Sequence, residues 1–477
     1  LKELETLKEN TVNPEVEKTN DSFRNTISIV EKDGHRKWIY PKKPSGRYYT
    51  ARNIVSVFLL AILFGLPFIK VDGHPFFLFN IVESEFILFG AVFTPQDFYL
   101  FGLLMITVFV SLFLITAVFG RIFCGWICPQ PIFLELVFRK IEYLIEGDYI
   151  RQMELNKSPW TGAKIFKKGL KYLIFFLLSF IIANTLLSYI IGVDALWKIM
   201  NEPISAHVSG FIAIVIFTIG FYWIFAWFRE QACILVCPYG RMQGVLLDKN
   251  TTVIAYDYNR GEPRGKLTQK KEKNLGDCID CNQCVVVCPT GIDIRNGTQL
   301  ECINCAVCID ACDSIMDKIN LPRGLIRYDS MEGIRTGSGF KWTSRVIGYM
   351  SVLLILLTTI TVLFAKRKDV DANVLRTPGM IYQNQGEDKV SNMYNFKLSN
   401  KTFNEMPIKF ELSESEGEIK LVGNEIILKP MEVHEGSLLI LMPKDKIKKL
   451  NTPLKINAVS NGKVIEEIST TFIGPPN

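Results

Sequence analysis

Cys278-Ile-Asp-Cys281-Asn-Gln-Cys284-Val-Val-Val-Cys288-Pro289, followed after a short spacer by Cys302-Ile-Asn-Cys305-Ala-Val-Cys308-Ile-Asp-Ala-Cys312, is the stretch on which the reading of this chain turns. It contains two successive runs of C-x2-C-x2-C-x3-C. This is the spacing of bacterial two-cluster ferredoxins, in which three close thiolates grip one cluster and the fourth cysteine of each run reaches the other. The spacing predicts one four-iron four-sulfur cluster on Cys278, Cys281, Cys284 and Cys312, and a second on Cys302, Cys305, Cys308 and Cys288. Pro289 follows the fourth cysteine of the first run, as the pattern expects. Asp313 stands at that place in the second run, a departure that removes no ligand. Zinc knuckles and disulfide staples also use paired cysteines, but two quartets at ferredoxin spacing are an uncommon way to build either. Two one-electron clusters in one small domain make a wire, and the question becomes what lies at its ends.

The chain has 477 residues, 48% of them hydrophobic, and a net charge of +6. So large an apolar share in a chain long enough for several domains points to membrane segments. No basic stripe with interleaved aromatics occurs, which argues against nucleic acid as a partner. All 12 cysteines fall in four motifs, so they read as ligands rather than as disulfide staples. Residues 1–35 are rich in Glu, Lys, Asn and Thr, lack a signal-peptide core, and read as a flexible cytoplasmic tail.

Five uncharged stretches approach the roughly 20 residues that a bilayer needs. They lie at about 53–71, 98–120, 172–193, 208–228 and 346–365. The first is the shortest and contains Pro67. Phe86 to Thr94 is apolar but too brief to span, and reads as an interfacial piece. Basic residues crowd the segment before the first span, the 121–171 loop and the segment after the fourth. The 72–97 loop has acidic Asp72, Glu83, Glu85 and Asp97 and no Lys or Arg. The positive-inside rule therefore predicts a cytoplasmic ferredoxin insert and an outer C-terminal region. Lys366, Arg367 and Lys368 oppose this count, because they would follow the last span on the outer face. Glu83, Glu85 and Asp97 read as solvated loop charges. Beyond residue 370 short period-two stretches recur, among them Ile408–Leu412, Glu418–Val422, Ser437–Met442 and Leu454–Ala458, with Gly423-Asn424 and Asn461-Gly462 as turns. That pattern predicts a small β-sandwich.

The predicted architecture is an α-helical integral membrane protein of five transmembrane helices, with an inserted bacterial-type two-cluster ferredoxin domain and a C-terminal immunoglobulin-like β-sandwich. Its parts are the tail (1–35), a four-helix membrane domain (36–245), the ferredoxin domain (246–340), the fifth helix (341–368) and the sandwich (369–477).

Two further motifs end the second and fourth spans: Gly120-Arg-Ile-Phe-Cys124-Gly-Trp-Ile-Cys128-Pro129 and Gln231-Ala-Cys233-Ile-Leu-Val-Cys237-Pro238. Each is C-x3-C-P. On a helix the two cysteines share one face, and the proline then ends or kinks that helix. Two such pairs at one depth would converge into a four-thiol site, and soft thiolates select copper(I), zinc or iron–sulfur clusters. Buried free cysteines are the plainer alternative for either motif alone. The four histidines, His35, His74, His207 and His434, offer no mid-span haem ligand.

Trp38-Ile-Tyr-Pro41, Thr94-Pro-Gln-Asp97-Phe98, the Cys124-Gly-Trp-Ile-Cys128-Pro-Gln stretch and Tyr256-Asp-Tyr-Asn-Arg-Gly261-Glu-Pro-Arg264-Gly265-Lys complete a pattern that resembles the CcoG family, also called FixG or RdxA, from about residue 35 to the end. The resemblance implies a multi-pass protein of the bacterial inner (cytoplasmic) membrane with a periplasmic C-terminal domain, an accessory to assembly of cbb-type cytochrome c oxidase. It also implies reduction of copper(II) to copper(I) on the cytoplasmic side, with Cys124, Cys128, Cys233 and Cys237 as the copper-binding, reacting thiols fed by the clusters. Copper exporters, copper chaperones and oxidase assembly factors are the implied partners. A quinol-linked respiratory polyferredoxin, and a non-enzymatic copper chaperone or scaffold, are the alternatives. No nucleotide-binding fingerprint is visible, so the electron donor is a separate, unidentified molecule.

Overall fold

Among the described residues five helices are long and apolar enough to cross a membrane. They are α1 (Arg47–Gly65, continued by a tight turn to Phe68), α2 (Phe98–Phe119), α3 (Gly162–Ile191), α4 (Val208–Trp223, continued by a π-helical turn to Phe228) and α7 (Ser344–Ala365), with α5 (Pro238–Leu246) and α6 (Val307–Lys318) between the fourth and fifth. The computed structural model describes residues 28–31, 33–71, 73–80, 85–93, 97–269, 275–337, 339, 341–386, 388–413, 417–447 and 449–475. Of the stretch read as a tail, residues 1–27 lie outside the described residues, as does Glu83. Ser28–Glu31 is folded: Ser28 Oγ donates to the Thr290 carbonyl at 2.8 Å and Ile29 is fully buried.

α3 begins at Gly162, well before the apolar run starts at Tyr172. Its first turns are charged, and those charges are paired: Lys168 and Lys171 reach Glu146 at 2.8 and 3.0 Å. A hydropathy reading misses such a segment because its polar atoms are satisfied by ion pairs instead of water.

The chain divides into two compact units. The first comprises Leu1–Phe64, Ile106–Thr185 and Glu202–Leu356; the second comprises Gly65–Met105, Leu186–Asn201 and Leu357–Asn477. In the first unit the ferredoxin insert is closed by the antiparallel pair β4 (Val253–Tyr256) and β5 (Ile326–Asp329), with Val253 opposite Asp329 and Tyr256 opposite Ile326. Both cysteine runs bend the backbone alike. Asp280 and Asn282 in the first, and Asn304 and Ala306 in the second, have φ of 52°, 56°, 52° and 63°. Asn and Asp tolerate this left-handed region best, which fits three of the four. Asp313, where the first run has proline, lies inside α6, and its carboxylate accepts from the Gly324 amide at 3.0 Å and pairs with Arg47 at 3.3 Å. A proline there would break the helix that carries Cys308 and Cys312. Asp310, one turn earlier, caps α1 by accepting from the amides of Tyr48 and Tyr49 at 3.1 and 2.8 Å.

In the second unit, the piece read as interfacial is part of a three-stranded antiparallel sheet, β1 (Phe77–Asn80), β2 (Glu85–Leu88) and β3 (Ala91–Phe93). Its Leu78, Ile87 and Val92 pack against Phe403 and Met431. Asp97 is a correction to the sequence reading. It is 3% exposed and receives Lys401 at 2.7 Å and Arg367 at 2.9 Å. Of the three cations that opposed the charge count, half-buried Arg367 pairs with Asp97 and exposed Lys368 pairs with Glu466 at 2.8 Å.

The remaining strands form the sandwich: β6 (Val370–Arg376), β7 (Gln383–Gln385), β8 (Lys389–Asn400), β9 (Met406–Leu412), β10 (Glu418–Val422), β11 (Ile426–Leu428), β12 (Val433–Pro443), β13 (Asn451–Ser460) and β14 (Lys463–Ile473). One sheet runs β10-β12-β8-β6 with β7 on β8, the other β11-β9-β13-β14. Inward positions such as Tyr394, Leu398, Leu438, Ile456 and Phe472 are fully buried. Asn392 ties the sheets by accepting from the Ile473 amide at 3.1 Å and donating to its carbonyl at 2.7 Å. Asn461 and Gly462, with φ of 48° and 76°, make the two-residue turn between β13 and β14.

Candidate metal centres

The eight ferredoxin cysteines ring two small adjoining cavities. Cys278, Cys281, Cys284 and Cys312 line one, with Arg295, Tyr256 and Met316. Cys288, Cys302, Cys305 and Cys308 line the other, with Cys284, Ile254 and Ile292 among its other walls. The fold thus carries Cys312 back to the first run and Cys288 forward to the second. Among the described residues no three His, Cys, Asp or Glu side chains converge where a single ion would sit. A cubane is larger than an ion, so separated thiols around a cavity are the shape that suits it. Burial pushes the thiols of Cys284, Cys302 and Cys312 up to about 12 and that of Cys305 up to about 11. Iron must therefore displace protons to bind them, which makes loading pH-dependent. The two sites differ in access: Cys281 is exposed, whereas Cys305 and Cys308 are buried.

The two C-x3-C-P motifs share one local structure, and it is not a continuous helix. Cys124 lies in a short helix, Ile122–Trp126, and Cys233 in a π-helical turn, Ala232–Val236. Cys128 and Cys237 are extended, with ψ of 127° and 112°, and each precedes the helix that its proline starts. Proline excludes helical geometry from the residue before it while being favoured at a helix's first position. The wide turn is closed by the amides of Cys128 and Cys237, which donate to the carbonyls of Phe123 and Ala232, each at 2.9 Å. Cys124 Sγ meets the helix of the second motif through Gln243 Oε1 at 3.4 Å, but among the described residues no three of the four sulfurs converge where a single ion would sit. Burial raises the thiols of Cys124, Cys128 and Cys233, and the nearby sulfur of Cys237 raises each further; Cys128 reaches about 11. Thiols as a class are soft donors that suit copper(I), zinc or iron–sulfur iron.

This four-thiol group abuts the second cluster cavity. A Cβ on Gly125 would meet the Ile303 carbonyl oxygen at 2.3 Å and the Cys305 nitrogen at 3.1 Å, so only glycine lets the backbones approach. Trp126 Nε1 donates to the Asn304 carbonyl at 3.2 Å, and the Tyr328 hydroxyl donates to the same oxygen at 2.7 Å. Asn304 Nδ2 donates to the Phe119 carbonyl at 3.2 Å, and its Oδ1 lies 3.5 Å from Cys302 Sγ. Arg52 Nε donates to the Gly125 carbonyl at 2.6 Å.

A buried charge cluster braces the motifs. Arg229, with φ of 51°, clamps Glu142 through two bonds of 2.7 and 2.9 Å. Burial alone pushes the Glu142 carboxyl up, but Arg229, Lys171 and Arg139 overcome it and hold the group down at about 2. Arg139 also pairs with Glu135 at 3.0 Å and with Glu230 at 3.5 Å.

Reading the sequence for chemistry found the thiols but missed Arg121, Gln243, Asn304, Trp126 and the Glu142–Arg229 pair. The available signal was charge: Arg121, Glu135, Arg139 and Glu142 follow directly on an apolar span, where unpaired charges are costly.

Family comparisons agree with this layout. A 4Fe-4S binding domain matches residues 101–146, a 4Fe-4S dicluster domain 228–331, and the Ig-like fold at the C-terminus of FixG 360–475. The chain is 38% identical to protein RdxA of Cereibacter sphaeroides, over 61% of this chain and 62% of that one. It is 36% identical to nitrogen fixation protein FixG of Rhizobium meliloti, over 62% and 58%. It is 33% identical to protein RdxB of Cereibacter sphaeroides, over 77% and 80%. The first two matches span less than two thirds of those relatives' own length.

Proposed function

The chain belongs to the FixG/RdxA family of membrane-bound iron–sulfur electron-transfer proteins, and from that premise we propose that it delivers single electrons through its ferredoxin insert to copper held by Cys124, Cys128, Cys233 and Cys237. The observation that carries this reading is the direct packing of Gly125, inside the first C-x3-C-P motif, on the Ile303–Cys305 backbone. In this reading the thiol group is the end of the wire, supported by Gly125 lying one loop away from ligands of the second cluster.

In this reading Cys278, Cys281, Cys284 and Cys312 hold one cluster, and Cys288, Cys302, Cys305 and Cys308 hold the other. When bound, each four-iron cluster supplies one-electron transfer. The exposed Cys281 marks the entry side, and the buried second cavity the delivery side. Thiolates prefer copper(I) to copper(II), so Cys124, Cys128, Cys233 and Cys237 pull the substrate couple toward the reduced ion. One copper(II) takes one electron and becomes copper(I), and a separate low-potential one-electron carrier restores the electron to the insert. The distribution of basic loop residues favours a cytoplasmic insert and a C-terminal sandwich on the outer side. The family resemblance extends the reading to copper exporters, copper chaperones and cbb-type oxidase assembly factors as partners.

The test uses full-length protein purified anaerobically in detergent, reduced with dithionite and freed of excess reductant. Adding copper(II) should give copper(I), captured by a chelator, in step with re-oxidation of the cluster spectrum. Cys233→Ser with Cys237→Ser should abolish the product and spare the spectrum. Clusters that stay reduced in the presence of copper(II) would overturn the reading. One observation favours a second reading: the 4Fe-4S binding domain match over 101–146 includes Cys124 and Cys128. If the four thiols hold a third cluster, the purified protein will contain four more irons than two clusters require.

A further inference from the structure

Arg121 directly follows the Phe119–Gly120 backbone that Asn304 ties to the second cysteine run, and it is 5% exposed. It belongs to the first C-x3-C-P motif, yet its guanidinium is spent on the second. Its Nε donates to Gln243 Oε1 at 2.7 Å and its Nη2 to the Gly240 carbonyl at 2.7 Å, both on α5. Gln243 is fully buried. The same Oε1 accepts from Cys124 Sγ at 3.4 Å, while Gln243 Nε2 has no hydrogen-bond partner. The Arg121 bond fixes which end of the amide faces the guanidinium and the Cys124 thiol. Toward the other side, the Phe119–Gly120 backbone just before Arg121 is held to the second cysteine run. Asn304 bonds the Phe119 carbonyl at 3.2 Å and lies 3.5 Å from Cys302 Sγ. A Cβ on Gly120 would come within 3.0 Å of Asn304 Nδ2.

We propose that Arg121, seated by Gln243, is a shared positioning residue whose single buried positive charge sets both the reduction potential of the cluster on Cys288, Cys302, Cys305 and Cys308 and the metal affinity of the four-thiol group. The inference rests on the reading of those two sites given above.

The physical argument is charge economy. A reduced cluster and a thiolate-bound copper(I) both carry more negative charge than the states they replace, and both lie in a poorly solvated interior. A fixed cation there stabilises each, far more than it would in water. Arg121 reaches the thiol group through Gln243 Oε1, which also accepts from Cys124 Sγ, and its chain neighbour Phe119 is tied by Asn304 to the second cysteine run beside Cys302 Sγ. Because one cation serves both, a cluster made easier to reduce comes paired with a thiol group made better at holding the product ion. Gln243 contributes by seating the guanidinium: one carboxamide oxygen accepts from both Arg121 and Cys124.

Three variants of the full chain, with clusters in place, test this. Arg121→Gln removes the charge, Arg121→Lys keeps it, and Gln243→Glu neutralises it in place through an ion pair. The readouts are the reduction potential of each cluster, resolved by electron paramagnetic resonance during a redox titration, and copper(I) affinity by chelator competition. Arg121→Gln should lower the reduction constant of one cluster about tenfold, which is about 59 mV for one electron. It should leave the other unmoved and weaken copper(I) binding. Arg121→Lys should restore most of both. If Arg121→Gln fails to retain its clusters, Gln243→Glu carries the test, with a smaller shift of the same sign expected. Unmoved potentials in Arg121→Gln or Gln243→Glu, or an Arg121→Lys protein as impaired as Arg121→Gln, would overturn the proposal. The cluster readout needs no copper. A wild-type protein that ignores copper(II) but shows the shift defeats the copper reading and leaves the coupling intact. A copper-reducing protein with unmoved potentials defeats the coupling alone.

Discussion

The ferredoxin insert and the C-terminal sandwich solve the burial problem in opposite ways. The sandwich fills its interior with hydrocarbon: Leu398, Leu438, Ile456 and Phe472 interleave from two sheets, and the few buried polar groups, such as Asn392, bond across the gap. The insert fills its interior with thiols. Cys284, Cys305 and Cys308 are buried among Ile303, Val307 and Ile309, and the cysteine runs pass through left-handed turns at Asp280, Asn282, Asn304 and Ala306. The sandwich is stabilised by its own side chains, whereas the insert encloses cavities ringed by donors that metal must complete. The lesson is that one chain carries a self-sufficient core and a ligand-dependent one, and the two should fail separately.

The largest effect should come from removing iron. Chelation after oxidation should expose the insert to protease at residues 278–312 while fragments containing 370–473 stay intact; simultaneous loss of both would erase the distinction. Next comes the charge cluster that braces the thiol motifs. Glu142→Gln removes the two-bond clamp on buried Arg229 and leaves it only the 3.7 Å contact with Glu230, and breaking such a buried pair costs about 3 kcal/mol. Because Glu142 sits at about 2, below its ordinary carboxylate value, its contribution is complete above that ordinary value and is lost as pH falls toward about 2. Thermal unfolding of the wild type in detergent should therefore weaken over that window, and the Glu142→Gln variant should show a flatter dependence. In the sandwich, Leu438→Ala should cost about 2–5 kcal/mol by transfer and cavity terms. It should leave the cluster absorbance unchanged, and a bleached spectrum would break the comparison. The smallest effect belongs to Asp310→Ala, which removes the cap on α1 at about 1 kcal/mol. It should show as faster amide exchange at Tyr48 and Tyr49 with the clusters retained.

Much of the candidate site was legible because its signals are local. Ligand spacing around Cys278–Cys312 and the repeated C-x3-C-P are patterns within a few turns of chain, and a cluster imposes them directly. The proline effect was legible too, but its consequence was underestimated. Pro129 and Pro238 do more than end a helix; they force Cys128 and Cys237 into extended backbone, so the cysteine pairs meet across a wide turn. Asp97 and Arg367 were misread because exposure was inferred from sequence neighbourhood, and their burial depends on a partner 270 residues away.

What this sequence determines by itself is what short-range chemistry encodes: five apolar runs long enough to span, two ferredoxin quartets, and an alternating C-terminal pattern closed by turns such as Asn461-Gly462. Tertiary structure alone decides that Gly125 lies against Ile303–Cys305, that Arg121 of the first C-x3-C-P motif bonds Gln243 and Gly240 beside the second, and that Asp310 caps α1. The reason is physical. Spacing and hydropathy are properties of one segment, whereas close approach, shared charge and capping are properties of surfaces brought together by packing, and no single segment carries that information.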